Sequence, residues 1–294
     1  MKTDNLIKSR RQTNWDWRAA GNFICGGSGT GLLLFAGLVA GPNLAYGPLA
    51  GAGLVLIAVG LFCVWLEIGR PLRSMNVFLH ARTSWMTREA LVAPLLFLSG
   101  ALAIWTGGAP WIWLTAALAM LFLYCQARII HAAKGIPAWR APRAVPLFIT
   151  TGLTEGAGLL ALALAVAGVM PQANWMAAAL LPLLIARVLL WRAYRQELVA
   201  PSTPRKVLAV LDTIELPLVK VGHWTVVAML LLALAMPAGA SAWLIAAAGL
   251  LAAAGGWLLK YTLIVRASFT QGYALPRLPV RGAGVPSSRI EAKP

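Results

Sequence analysis

Apolar positions gather into eight long stretches, at about 19–40, 47–66, 89–106, 111–128, 146–169, 173–191, 222–238 and 241–263. Each approaches the roughly 20 residues a helix needs to cross a bilayer, the seventh being the shortest. The polar segments between them alternate in kind. All 25 Lys and Arg fall in five of the nine flanking segments: 1–18, 67–88, 128–145, 187–221 and the region from Lys260 onward. The other connections, Gly41–Tyr46, Thr106–Pro110, Pro171–Asn174 and Pro237–Ala240, are short and uncharged. Basic loops stay on the cytoplasmic side of a membrane, so this alternation predicts an all-α integral membrane protein with both termini in the cytoplasm. The compartment expected is the inner (cytoplasmic) membrane.

Composition changes this picture little. Hydrophobic residues make up 60% of the chain and charged residues 12%, about half the charge of a soluble domain. The net charge of +16 raises the question of nucleic acid, but topology accounts for most of the arginines, and no nucleic-acid partner is expected. Tryptophans mark both interfaces, with Trp105, Trp111, Trp113, Trp175 and Trp243 on the uncharged side. Trp15, Trp17, Trp85, Trp139, Trp191 and Trp224 lie on the basic side. The first apolar stretch follows a charged start, is too long for a signal-peptide core and has no obvious cleavage site. Cys25, Cys63 and Cys125 lie in or beside the stretches without C-x-x-C spacing, so neither disulfides nor an iron–sulfur centre is indicated.

The first and fifth stretches resemble each other. Gly29-Thr-Gly-Leu-Leu-Leu-Phe-Ala matches Gly156-Ala-Gly-Leu-Leu-Ala-Leu-Ala, and Gly41 falls opposite Gly168 at the same offset. A parallel repeat predicts two four-helix bundles, residues 18–130 and 146–266, followed by an extended cytoplasmic tail over 267–294. Gly/Ala/Leu-rich membrane helices also resemble one another through composition alone. On the basic side, Pro71 can open an interfacial helix with Leu72, Met75, Phe78 and Leu79 on one face. Thr203-Pro204 can open a second, with Val207, Leu208, Leu211 and Ile214 apolar.

The candidate chemistry lies where charge meets the apolar phase. Glu67 ends the second stretch and Glu89 begins the third, with Arg70, Arg73, Asn76, His80 and Arg88 between them. Carboxylates and a histidine at the membrane surface can exchange protons with a bound group, and arginines can hold a carbonyl oxygen. A quinone headgroup needs such partners at the depth where its tail stays in lipid. The same residues can also serve simply as anchors that fix topology. Glu155 lies about ten residues into the fifth stretch, among Thr150, Thr151 and Thr154. A charge at that depth costs roughly 2.5–3.5 kcal/mol, so Glu155 is a candidate for a proton path or a neutral strut bonded to the threonines. His131 and His223 lie near stretch ends, which disfavours a haem held between facing helices, and no metal or haem site is expected in this chain.

The run Leu66-Glu-Ile-Gly-Arg-Pro-Leu-Arg-Ser-Met-Asn76, followed by Arg82-Thr-Ser-Trp-Met-Thr-Arg-Glu89, resembles the span 2–3 connection of NrfD-like, dimethyl-sulfoxide-reductase-type membrane anchors. The family pattern reads L-H-L-G-x-P-x-R-A, a short helix, an R-T-S-W-like turn and a glutamate opening the next span. The resemblance implies a non-catalytic subunit that binds ubiquinone or menaquinone. Such a subunit exchanges electrons with an iron–sulfur subunit wired to a molybdopterin catalytic subunit. It places Arg73, Asn76 and Glu89 on family positions. The family histidine falls on Glu67, so Glu67 takes over its role, or His80 does, or the site is rearranged. A basic face turned to the cytoplasm implies a cytoplasmic substrate, such as a coenzyme A thioester, and suits the phenylacetyl-CoA:acceptor oxidoreductase branch. Two other classes stay open: a small-solute or proton-coupled transporter, and a haem-bearing cytochrome b anchor.

Overall fold

A computed structural model describes residues 6–7, 9–39, 46–68, 76–168, 170–199, 203–271 and 273–274. Eight helices among them are long and apolar enough to span a membrane. They are α1 (Trp17–Val39), α2 (Tyr46–Glu67), α3 (Trp85–Thr106), α4 (Ala109–Ala132), α5 (Ala144–Val166), α6 (Met170–Leu198), α7 (Arg205–Leu234) and α8 (Gly239–Arg266). The protein is an all-α, multi-pass membrane protein. Several helices run further toward the basic side than the apolar stretches suggest. Backbone hydrogen bonding carries a helix on past its apolar residues, and the α6 extension ends only at Leu198.

The helices form two bundles that share a seam. In the first, α1 packs on α2 and α4, and α3 packs on both α2 and α4, closing a ring. In the second, α5 packs on α6 and α8, while α7 lies against α6 and α8. The seam is α1 against α5, flanked by α1 on α8 and α4 on α5. The two helices whose sequences match are therefore the two that meet at the centre. Glycine makes this approach possible: a Cβ on Gly156 would collide with the backbone of Gly31 and Leu32. Ser28 and Glu155, 127 positions apart like the matched glycines, are hydrogen-bonded across the seam.

Turns on the uncharged side are tight. Gly107 (φ 63°) caps α3 in the left-handed region, its N–H bonding the Ala103 carbonyl, and Gly108 leads directly into α4. Turn residues 40–45 lie outside the described set. On the basic side, the expected Pro71 helix falls largely outside the described residues, and Asn76–Leu79 form a single 3₁₀ turn. The helix expected after Pro204 is present and buries Val207, Leu211 and Ile214, but it is the continuous start of α7. Leu216–Thr225 within α7 and Thr262–Arg266 at the end of α8 are π-helical.

The chain ends meet on one face. Leu6–Ile7 pair antiparallel with Tyr273–Ala274, and an isolated bridge joins Arg11 to Phe269. The start of the tail, expected to be extended, is paired with the N-terminal segment at Tyr273–Ala274. Beneath it, Trp15 stacks on Trp139 at 4.9 Å, and the Trp139 indole N–H donates to the Leu263 carbonyl at 2.7 Å.

A candidate headgroup groove between α2 and α3

Ser84 sets the start of α3. Its Oγ accepts the Thr87 amide at 3.2 Å, an N-cap that satisfies one of the free donors of the first turn. Arg88 turns outward from there. Its Nε and Nη2 donate to the Ala81 and Arg82 carbonyls, both at 2.9 Å, and its guanidinium sits 4.1 Å from the Trp85 ring centroid. Arg128 from α4 approaches the same ring at 4.8 Å. With the turn tied this way, Glu89 on the next position points into the bundle and is only 6% exposed.

The Glu89 carboxyl lies against the side-chain amides of Gln126 on α4 and Asn22 on α1. Gln126 Nε2 in turn donates to the Asn22 carbonyl at 3.2 Å. Glu89 Oε1 and Asn22 Oδ1 are buried without a donor among the described residues. A buried carboxylate oxygen in that state calls for a hydrogen-bond donor from outside the protein, or a proton.

Two spaces converge on this carboxyl. A cavity of about 40 Å³, lined by Trp15, Asn22, Phe23, Val64, Glu67, Met86, Glu89 and Ile129, brings Glu67 and Glu89 to one space. A groove of about 390 Å³ lies between α2 and α3, walled by Leu61, Val64, Trp65, Ile68, Val77, Met86, Glu89 and Ala90. The two share Val64, Met86 and Glu89, so they are continuous at the carboxyl. Leu66, Trp65 and Met86 are exposed on the surface that faces lipid. Near Glu67, the Arg18 guanidinium pairs with Asp16 at 2.9 Å and donates to the Leu66 carbonyl at 2.9 Å, pinning the start of α1 to the end of α2. That pairing holds the Asp16 carboxyl below its ordinary range.

The other expected site residues are placed differently. Asn76 and His80 are exposed on the surface turn and line neither space. Arg70 and Arg73 lie outside the described residues. Asn22 and Gln126 were not anticipated, although an amide inside an apolar stretch is itself a signal, because its burial demands partners.

Glu155 belongs to another arrangement. It is fully buried at the seam, where Lys260 Nζ donates to its Oε2 at 2.7 Å and Ser28 Oγ at 2.9 Å. Lys260 Nζ also donates to the Phe23 carbonyl at 3.0 Å, and the Trp257 indole N–H bonds Ser28 Oγ at 2.9 Å. The threonines expected to hold Glu155 bond their own helix instead: Thr151 donates to the Leu147 carbonyl and Thr154 to the Thr150 carbonyl. The neutral, threonine-bonded strut is therefore replaced by a buried ion pair inside the second bundle, tied across the seam to Ser28 and the Phe23 carbonyl of α1. Lys260 and Arg187, counted in basic segments, are both interior. The alternation survives their removal, since every basic segment keeps at least four Lys or Arg.

Fold and site together define an eight-span membrane protein with a groove between two helices, open toward lipid and ending at a buried carboxyl. The chain is similar to a sulfite dehydrogenase subunit of Allochromatium vinosum, with 29% identity over 122 residues, 35% of this chain and 38% of that protein. The match spans well under half of that relative's own length. No family model matches the chain.

Proposed function

We propose that this chain is the membrane subunit of a redox complex and that the α2–α3 groove receives a quinone headgroup beside Glu89. The observation that carries the reading is the continuity of an apolar, lipid-open groove with a buried carboxyl whose free oxygen lacks a donor among the described residues. A quinone supplies two-electron, two-proton chemistry at its ring oxygens. Leu61, Val64, Trp65 and Met86 offer apolar walls for a ring and leave an isoprenoid tail in the bilayer. Glu89 Oε1 and Asn22 Oδ1 are acceptors suited to hydroxyl donors, and Glu89 is the group that holds or releases a proton there. Glu67, on the same cavity and nearer the basic face, is placed to pass that proton toward water. This assigns Glu67 the task that the resemblance gives to a histidine. Arg70 and Arg73 remain candidates through their position between Glu67 and Glu89, and Arg73 also through the resemblance.

The likeness to a subunit of a sulfite dehydrogenase supports the wider reading of a redox-complex subunit. In that reading the basic face, with both termini, is cytoplasmic and docks an iron–sulfur subunit that connects to a molybdopterin catalytic subunit. Interfaces of stable complexes bury about 800 Å² or more per partner, which the tight turns of the opposite face do not offer. A coenzyme A thioester as the substrate rests on the cytoplasmic placement of that face and on the resemblance, and the relative's name points to a different substrate.

The test is a pair of assays on the assembled complex. Glu89→Gln should abolish turnover coupled to quinone and leave turnover with a soluble artificial acceptor intact. Normal quinone coupling in that variant overturns the assignment of the site.

A further inference from the structure

The second bundle buries a positive charge that no acidic group among the described residues pairs with. Arg187 on α6 is 2% exposed, and the hydrogen bonds of its guanidinium go to backbone, to the Ala252 carbonyl at 2.8 Å and the Gly222 carbonyl at 2.5 Å. The fully buried carboxylate of this bundle, Glu155, is bound by Lys260 and acts on Arg187 only through space, without an ion-pair contact, so the three groups together carry one net positive charge. An unpaired buried charge costs several kcal/mol, more than carbonyl dipoles return, so native interiors pair such groups. Beside Arg187, His223 is 2% exposed and neither ring nitrogen has a partner among the described residues. Both side chains line one small cavity, together with Val188, Trp191, Leu218 and Val219, with room for about one water-sized particle.

Position adds a second argument. Val188 and Trp191 stand 127 positions after Leu61 and Val64 of the headgroup groove, the offset that relates Ser28 to Glu155. The cavity is thus the repeat counterpart of the α2–α3 groove, narrowed by Trp191 and lined with cationic and imidazole groups where the first has carboxyls. The π-helical stretch of α7 carries His223 and turns the Gly222 carbonyl toward Arg187. Irregular helix turns of this kind recur at functional sites.

We propose that this cavity binds a small monovalent anion of the halide class between the Arg187 guanidinium and the His223 ring. Guanidinium has five N–H donors, of which two are used by carbonyls, and a neutral imidazole adds one more. The narrow space favours a monatomic ion over carboxylate and phosphate ligands. A water molecule satisfies the donors but leaves the charge uncompensated. The inference is independent of the groove assigned above.

The experiment uses the full chain in lipid nanodiscs, comparing sodium chloride with sodium gluconate at equal ionic strength. The midpoint of thermal unfolding should rise with chloride, by about 3–5 °C for each tenfold increase above the dissociation constant, while gluconate has no effect. Bromide should substitute and give an anomalous-scattering peak in the cavity. Arg187→Gln should remove the halide response, and His223→Phe should weaken it about tenfold. Equal stability in the two salts overturns the proposal, as does a halide response that persists in Arg187→Gln. If that variant does not fold, bromide absent from the cavity of the wild-type chain, or only water found there, overturns it equally.

Discussion

Glu89 and Glu155 are both buried carboxyls in membrane helices, yet their surroundings differ in the one respect that decides function. Glu155 is held from both sides of the seam by Lys260 and Ser28 on one oxygen, Oε2. Its Oε1, like Glu89 Oε1, has no hydrogen-bond partner among the described residues but faces close-packed helix at Gly256 and not a groove. Glu89 meets side-chain amides and opens onto space that reaches the lipid. The carboxyl paired with Lys260 ties the two bundles together. The carboxyl left open to a groove is the one proposed to meet a ligand. Buried charge is therefore not a sufficient mark of a site, and the decisive property is what the remaining lone pairs can reach.

The largest expected effect tests the sealed side of this comparison. Lys260→Met leaves Glu155 without its counter-charge and should lower the unfolding free energy by about 3–5 kcal/mol. The double variant Glu155→Gln with Lys260→Met should recover most of that loss, because no unpaired charge remains. Denaturation in mild detergent measures both, and equal stability of the single and double variants would break the pairing argument. On the open side, Glu89→Gln should reduce quinone-coupled turnover by about 10²-fold or more, a typical range for loss of a proton-exchanging group, with assembly unchanged. Val64→Trp, which fills the point where groove and cavity join, should raise the apparent KM for quinone by roughly tenfold, as a steric effect on binding. The smallest effect is expected from Asn76→Ala and His80→Ala, exposed on the surface turn, which should change coupled turnover by less than about twofold. A larger loss in those two would move the headgroup out toward the surface loop and sharpen the comparison differently.

The span count was legible in the sequence because it follows from the bilayer as solvent, which acts on every residue alike. The matching glycines of the first and fifth stretches pointed to a repeat, but that these two helices meet was not read from them, because a small-residue trace does not name its partner. Lys260 and Arg187 were misplaced for a physical reason. A basic residue near the end of an apolar stretch has the same appearance whether it snorkels to water or lies inside a helix that continues past the stretch. Here α8 continues to Arg266 and α6 to Leu198. Glu89 and Glu67 were found by their position at span ends, and the structure brings them onto one cavity. Asn22 and Gln126 were missed because their partners sit on α1, α3 and α4, and no local pattern couples helices so far apart in sequence.

The central claim is that a quinone ring reaches Glu89 through the α2–α3 groove, and the most direct measurement is photolabelling with an azido-quinone in membranes that contain the assembled complex. Mass spectrometry of the labelled chain should place the adduct on groove residues such as Trp65, Met86 or Val64, with labelling displaced by excess unmodified quinone. Adducts confined to the second bundle, or labelling of the groove that excess quinone does not displace, would contradict the account.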